Sequence, residues 1–171
     1  YANQGIDRIV LDRLGLEAGA ADLSDWEDVV ERQGAPQQEV TVAMVGKYVE
    51  HADAYKSLTE ALVHGGLTDR VQVNILPVES EEIEKTGLSV LDGAVAVLVP
   101  GGFGERGIEG KVEAIRFARQ RKIPFLGICL GMQMAVIEAA RNLIGVHDAG
   151  SEEFENAASG QRFTPIVYYL K

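Results

Sequence analysis

The chain has 171 residues, 46% of them hydrophobic and 25% charged, and carries a net charge of −10 with a pI near 4.8. That composition describes one folded domain, or one with an appendage, and excludes an intrinsically disordered chain. The acidic balance excludes a nucleic-acid surface, which needs clustered Lys and Arg, and no stretch approaches the ~20 apolar residues of a membrane span.

Ile6 to Leu14 has helical spacing and stops at Gly15. After a Gly/Ala-rich gap, Ser24-Asp-Trp-Glu27 matches a capping box. In that motif the Ser24 hydroxyl accepts from the Glu27 N–H and the Glu27 carboxylate reaches back. The second helix should run to about Gln33 and close at Gly34-Ala-Pro36. Two short helices ahead of the first strand do not belong to a strand–helix repeat. Residues 1–37 are therefore expected to be a linker or docking arm, and residues 38–171 the domain proper. Tyr1 opens the chain with neither methionine nor a signal peptide, so a fragment or processed product in the cytoplasm is expected.

From Glu39 strands and helices alternate. Val40–Val45 reads as a buried strand, and Ala54–His64 as a helix with Tyr55, Leu58, Ala61 and Leu62 on one face. Val71–Leu76 is the second strand, and the acidic stretch Glu79–Glu84 a solvated helix or loop. Ala94–Val99 is the third strand, Glu109–Gln120 a helix whose basic end suits the dipole, and Pro124–Ile128 the fourth strand. Such alternation predicts an α/β fold: an open, mostly parallel sheet flanked by helices, with ligands bound outside the carboxyl ends of the strands.

Three strand ends carry the candidate chemistry. The fourth strand ends at the chain's single cysteine in Gly127-Ile-Cys-Leu-Gly131, after which Met132, Ala135, Val136, Ala139, Ala140 and Leu143 recur at helical spacing. Cys129 is thus placed on a tight strand-to-helix turn, with glycine two residues away on either side where a Cβ would crowd it. One cysteine makes no internal disulfide and suits a reducing compartment. At the amino end of a helix, unpaired N–H groups favour both a thiolate and an oxyanion beside it, so Cys129 is read as a nucleophile. The third strand delivers Pro100-Gly-Gly-Phe-Gly-Glu-Arg106, whose N–H groups can approach a ligand closely. Together with the N–H of Leu130 it could complete an oxyanion hole. The first strand delivers Gly46-Lys-Tyr-Val-Glu-His51.

Pro100-Gly-Gly-Phe-Gly104 with Gly127-Ile-Cys-Leu-Gly-Met-Gln133 resembles the signature of the class I glutamine amidotransferases. Val45-Gly-Lys-Tyr48, Asp53-Ala-Tyr-Lys-Ser57 and Ser151-Glu-Glu-Phe154 narrow the resemblance to the glutaminase domain of the CTP synthase family, and Leu23-Ser-Asp-Trp-Glu27 to its interdomain linker. The resemblance runs from about Tyr1 to Phe154. It implies a flavodoxin-like fold and hydrolysis of L-glutamine through Cys129, with Gly102 and Leu130 holding the oxyanion. Gly131, Met132, Gln133 and Glu153 would join them around glutamine, Gln133 and Glu153 at its amino-acid end. It also implies a synthase domain in the same chain that uses ATP, magnesium and UTP, GTP as activator, and a homotetramer. Neither a cofactor nor a metal is expected within these residues. Lys47, Tyr48, Tyr55 and Lys56 are candidates for the interdomain interface or the wall of the site.

One part of the family pattern is missing. Its general base is a histidine oriented by a glutamate in His-Pro-Glu, and none of His51, His64 and His147 precedes Pro-Glu. His51 sits on a loop at the reactive edge, His64 ends a helix and His147 precedes Glu153; surface or capping roles are expected for all three. The expectation is that the base, its orienter and a further glutamine-binding arginine lie outside these residues, and that Thr164–Leu170 is the next strand. Two other readings stay open: a different cysteine hydrolase on the same fold, such as a peptidase or γ-glutamyl hydrolase, or a non-catalytic docking module.

Overall fold

The computed structural model describes residues 2–49, 53–154 and 163–169. The chain divides into two compact units, Tyr1–Ala35 and Pro36–Lys171. The first holds helices α1 (Ile6–Leu14) and α2 (Ser24–Gly34). The capping box does not form. Helix α2 begins at Ser24, one residue earlier than the box requires, and the Asp22 carboxylate accepts from the Ser24 N–H at 3.0 Å. That bond, with a second to the Ser24 side chain, holds Asp22 below the usual carboxylate pKa.

The second unit is built on β1 (Gln38–Gly46), β2 (Val71–Glu79), β3 (Ala96–Val99) and β4 (Phe125–Gly127). All pair in parallel in the order β2-β1-β3-β4. The pleat sends alternate residues of the two central strands to opposite faces. Val42, Met44 and Leu98 pack under α3 (Lys56–Leu67) with Tyr55, Leu58 and Leu62. Ala61, expected on the same face, is exposed. Ala43, Val45, Val97 and Val99 face α4 (Ser80–Thr86), α5 (Ile108–Arg121) and α6 (Leu130–Ala139). This is the open parallel α/β sheet the alternation predicts. Strand order reverses direction between β1 and β3, the place in sheets of this kind where ligands bind.

Two expectations are corrected. The acidic stretch forms α4, but that helix is not a solvated one: Ser80 and Ile83 are buried against α5. Gly107 and Gly110 allow this approach, since a Cβ on Gly110 would lie 1.9 Å from the Ser80 carbonyl oxygen. The face of α6 is also different. Leu130, Met134 and Ile137 are buried, whereas Met132 and Val136 are 58% and 47% exposed. Apolar residues occur all round this helix, so spacing alone could not select the inner face; the contact of Gly131 with Val99 does. The strand expected from Thr164 is present as β6 (Thr164–Val167), which stands outside the main sheet. It pairs with β5 (Ala149–Ser151), its first residue anchored by the Thr164 N–H and hydroxyl to the Asp148 carbonyl and carboxylate. Leu170 lies outside the described residues.

Candidate functional site: a cysteine elbow facing a glycine loop

Cys129 is exposed and caps the amino end of α6 with φ 53° and ψ −110°. A β-carbon disfavours that region, so the turn is strained and must be held by its surroundings. Both flanking glycines are sterically required. A Cβ on Gly127 would lie 2.6 Å from the Gly131 carbonyl, and one on Gly131 would lie 2.1 Å from the Val99 carbonyl oxygen. The helix can start directly over the sheet only because neither carries a side chain. Its first turn then closes on the cysteine, Met132 and Gln133 donating to the Cys129 carbonyl at 3.1 and 3.2 Å.

The loop after β3 lies against this turn. An ideal Cβ on Gly101 would be 3.4 Å from the Cys129 Cβ, and one on Gly102 would be 3.6 Å from Leu130 Cδ2. Among the described residues, neither the Gly102 nor the Leu130 N–H donates to a main-chain acceptor. Two N–H groups from different strand ends, neither given to a main-chain acceptor among the described residues, thus lie on the loop and the turn that meet at Cys129. Such a pair can stabilise an oxyanion formed by attack of the Cys129 sulfur on a carbonyl.

Three charged side chains and one aromatic ring hold the loop. The Lys47 ammonium donates to the carbonyls of Phe103 and Gly104 at 2.9 and 3.3 Å. The Gly104 N–H donates to Glu153 Oε1 at 3.1 Å. Arg106 pairs with Glu81 at 2.7 Å and stacks 5.4 Å from the Tyr48 ring centroid. Partial burial, with the nearby Arg106 charge, lowers the pKa of Lys47 against the pull of Glu81, Glu153 and Glu105. Tyr55 donates to the Lys47 carbonyl at 2.8 Å, and its own burial raises the phenol pKa. Tyr48 and Tyr55 thus brace Lys47 and the loop from the β1 side.

The remaining predicted residues fall as follows. Gln133 follows Cys129 by one helical turn, and its side-chain oxygen is buried without a hydrogen-bond partner. Gly131 packs on β3, Met132 is exposed, and Glu153 sits on a 3₁₀ turn after β5. His64, in the last turn of α3, and His147 are exposed, and neither hydrogen-bonds to Cys129. His51 lies outside the described residues. Sequence reasoning missed Lys111 and Ser80, both buried, with Lys111 Nζ and Ser80 Oγ unpartnered. A lysine three residues into an otherwise apolar buried face of α5 was the available signal. Among the described residues no group of three or more His, Cys, Asp or Glu side chains forms a metal site, and no helix is long and apolar enough to cross a membrane.

The family model for class I glutamine amidotransferases matches residues 50–165, more than half of the chain. The chain belongs to the class I glutamine amidotransferases. Over its whole length it is 54% identical to the CTP synthase of Paracoccus denitrificans, of which it spans 31%. A solved glutaminase domain of Trypanosoma brucei CTP synthase, with bound acivicin, superposes with a TM-score of 0.63 at 43% identity. That match covers 70% of this amidotransferase chain and 47% of the other.

Proposed function

We propose that this amidotransferase is the glutaminase part of a CTP synthase and that Cys129 is its nucleophile. The Cys129 sulfur attacks the side-chain amide carbon of L-glutamine, and the carbonyl oxygen takes the negative charge between the N–H groups of Gly102 and Leu130. Collapse breaks the C–N bond, with a proton going to the departing nitrogen, and releases ammonia. Water then cleaves the glutamyl thioester to glutamate and the free thiol. Gly131 and Met132 border the substrate, and the amino-acid end of glutamine meets Gln133 and Glu153. The unpartnered Gln133 oxygen supports this assignment, because a buried acceptor left empty is costly and an ammonium would satisfy it. The observation that carries the reading is an exposed cysteine on a strained strand-to-helix turn, with the Gly101-Gly102 loop packed against it.

The resemblance to CTP synthases supports the wider role. Ammonia passes to a synthase domain for ATP- and magnesium-dependent amination of UTP, with GTP as activator, in a cytoplasmic homotetramer, and residues 1–37 link the two parts. The family's base has no counterpart in residues 1–171, so in this reading proton transfer is supplied from outside them. The 171-residue chain alone should then turn over glutamine some 10²–10⁴-fold more slowly than a complete domain. Rapid steady-state ammonia release by the isolated chain would contradict this. Labelled glutamine, acid quench and mass measurement test the nucleophile. A glutamyl adduct on the Cys129 peptide, absent from Cys129→Ala, is expected; a folded protein that never acquires one would overturn the assignment.

A further inference from the structure

We propose that Lys47 is a positioning residue for glutamine hydrolysis: its ammonium, opposite the Glu153 carboxylate, clamps the Phe103–Gly104 peptide unit, one residue beyond the Gly102 oxyanion donor. The proposal rests on the glutaminase reading above. The peptide unit joining Phe103 and Gly104 is held at both ends. Its carbonyl accepts from Lys47 at 2.9 Å, and its N–H donates to Glu153 at 3.1 Å. Lys47 also holds the next carbonyl, that of Gly104, at 3.3 Å.

The loop needs such a clamp. Gly104 lies at φ +77°, without the Cβ that would narrow its conformations. Phe103 is 83% exposed, so no packed side chain anchors the loop at this point. The polar groups that grip the stretch come from opposite charges on two remote elements, the end of β1 and the turn after β5. An ammonium is suited to the task because it donates to two carbonyls at once. Its own backbone is fixed, since Tyr55 holds the Lys47 carbonyl and Gly46 packs closely under Pro100, where a Cβ would come 3.1 Å from Pro100 Cγ. A displaced loop moves the Gly102 N–H off the oxyanion, and misplacements of about 1 Å can cost 10²-fold in rate.

The test uses the full-length protein with Lys47→Met and Lys47→Arg and has three readouts. Glutaminase kcat should fall about 10²-fold in K47M, as for loss of one oxyanion donor, with KM within about twofold. K47R, which keeps two parallel donors, should recover at least about tenfold of that loss. Alkylation of Cys129 by iodoacetamide forms no oxyanion, so its rate should stay within about twofold in both variants. Hydrogen exchange at the Gly104 amide should quicken in K47M and slow again in K47R. A K47M enzyme with wild-type kcat overturns the proposal, as does a loss in kcat matched by an equal loss in iodoacetamide alkylation, or unchanged exchange at Gly104. Should the unaltered parent release no ammonia from glutamine, the glutaminase reading fails, and the exchange measurement still decides whether Lys47 clamps the loop.

Discussion

Cys129 occupies backbone space that suits glycine better than any other residue. If Cys129 is the nucleophile proposed above, such strain is retained because the side chain must be presented, not because it helps the fold. Cys129→Gly should therefore abolish glutaminase activity while raising stability by about 1 kcal/mol in chemical denaturation, because relief of the strain outweighs the lost side chain. Lys111 makes a related point. Burial, reinforced by the charge of Lys47, lowers its pKa from 10.5 to about 8 against the opposing pull of Glu84 and Glu79. The unfolded chain thus binds more protons than the native one between those two values, so this lysine makes stability rise with pH from about 8 to 10.5. Below that window the buried ammonium costs on the order of 2 kcal/mol once screening is allowed for. Lys111→Met should be the more stable protein at pH 7, with the gap closing towards pH 10; denaturation midpoints of the two across that range provide the check. The cysteine was legible in the sequence because the glycines that permit its turn lie within two residues of it. Lys111 was not, because its burial depends on where α5 settles against α4.

At the scale of elements, close backbone approach decides most of the geometry. Gly131 sits where a Cβ would strike the β3 carbonyl, so Gly131→Ala must push α6 away from the sheet. Overpacking of this kind typically costs 1–3 kcal/mol, and here it should also remove activity by shifting Cys129 and Leu130. Gly65, in α3, has nothing within 4 Å of an added Cβ, and Gly65→Ala should stabilise by about 0.5–1 kcal/mol. Thermal melts of the two variants give opposite signs if the packing is as described. The strands and the α/β alternation were readable from apolar runs and glycine punctuation. The inner face of α6 was not, because that helix is apolar all round. Nor was the role of Arg119, read only as a cation suited to a helix end. It grips the buried carboxylate of Glu138 on α6 through bonds of 2.7 to 3.1 Å and ties α5 to α6. The capping box failed for a simpler reason: Leu23 takes the N-cap position and Asp22 accepts from the Ser24 N–H, so Ser24 is already inside the helix, one place too far along to cap it.

At the scale of the whole molecule, the reversal of strand order between β1 and β3 brings distant sequence together. Lys47 follows β1, the glycine loop follows β3 and Cys129 follows β4, so the parallel sheet delivers all three to one edge. The motifs singled out the candidate residues. The bonds between them, such as Lys47 to Phe103 across 56 positions, appeared only in three dimensions. The central claim is that this edge is a glutamine site with Cys129 as its reactive atom. Reaction with the diazoketone analogue of glutamine, followed by peptide mass mapping, tests it most directly. One adduct per chain on Cys129, slowed by added glutamine and absent from Cys129→Ser, is the expected result. A folded protein that is not labelled, or is labelled at Cys129 at a rate indifferent to glutamine, would contradict it.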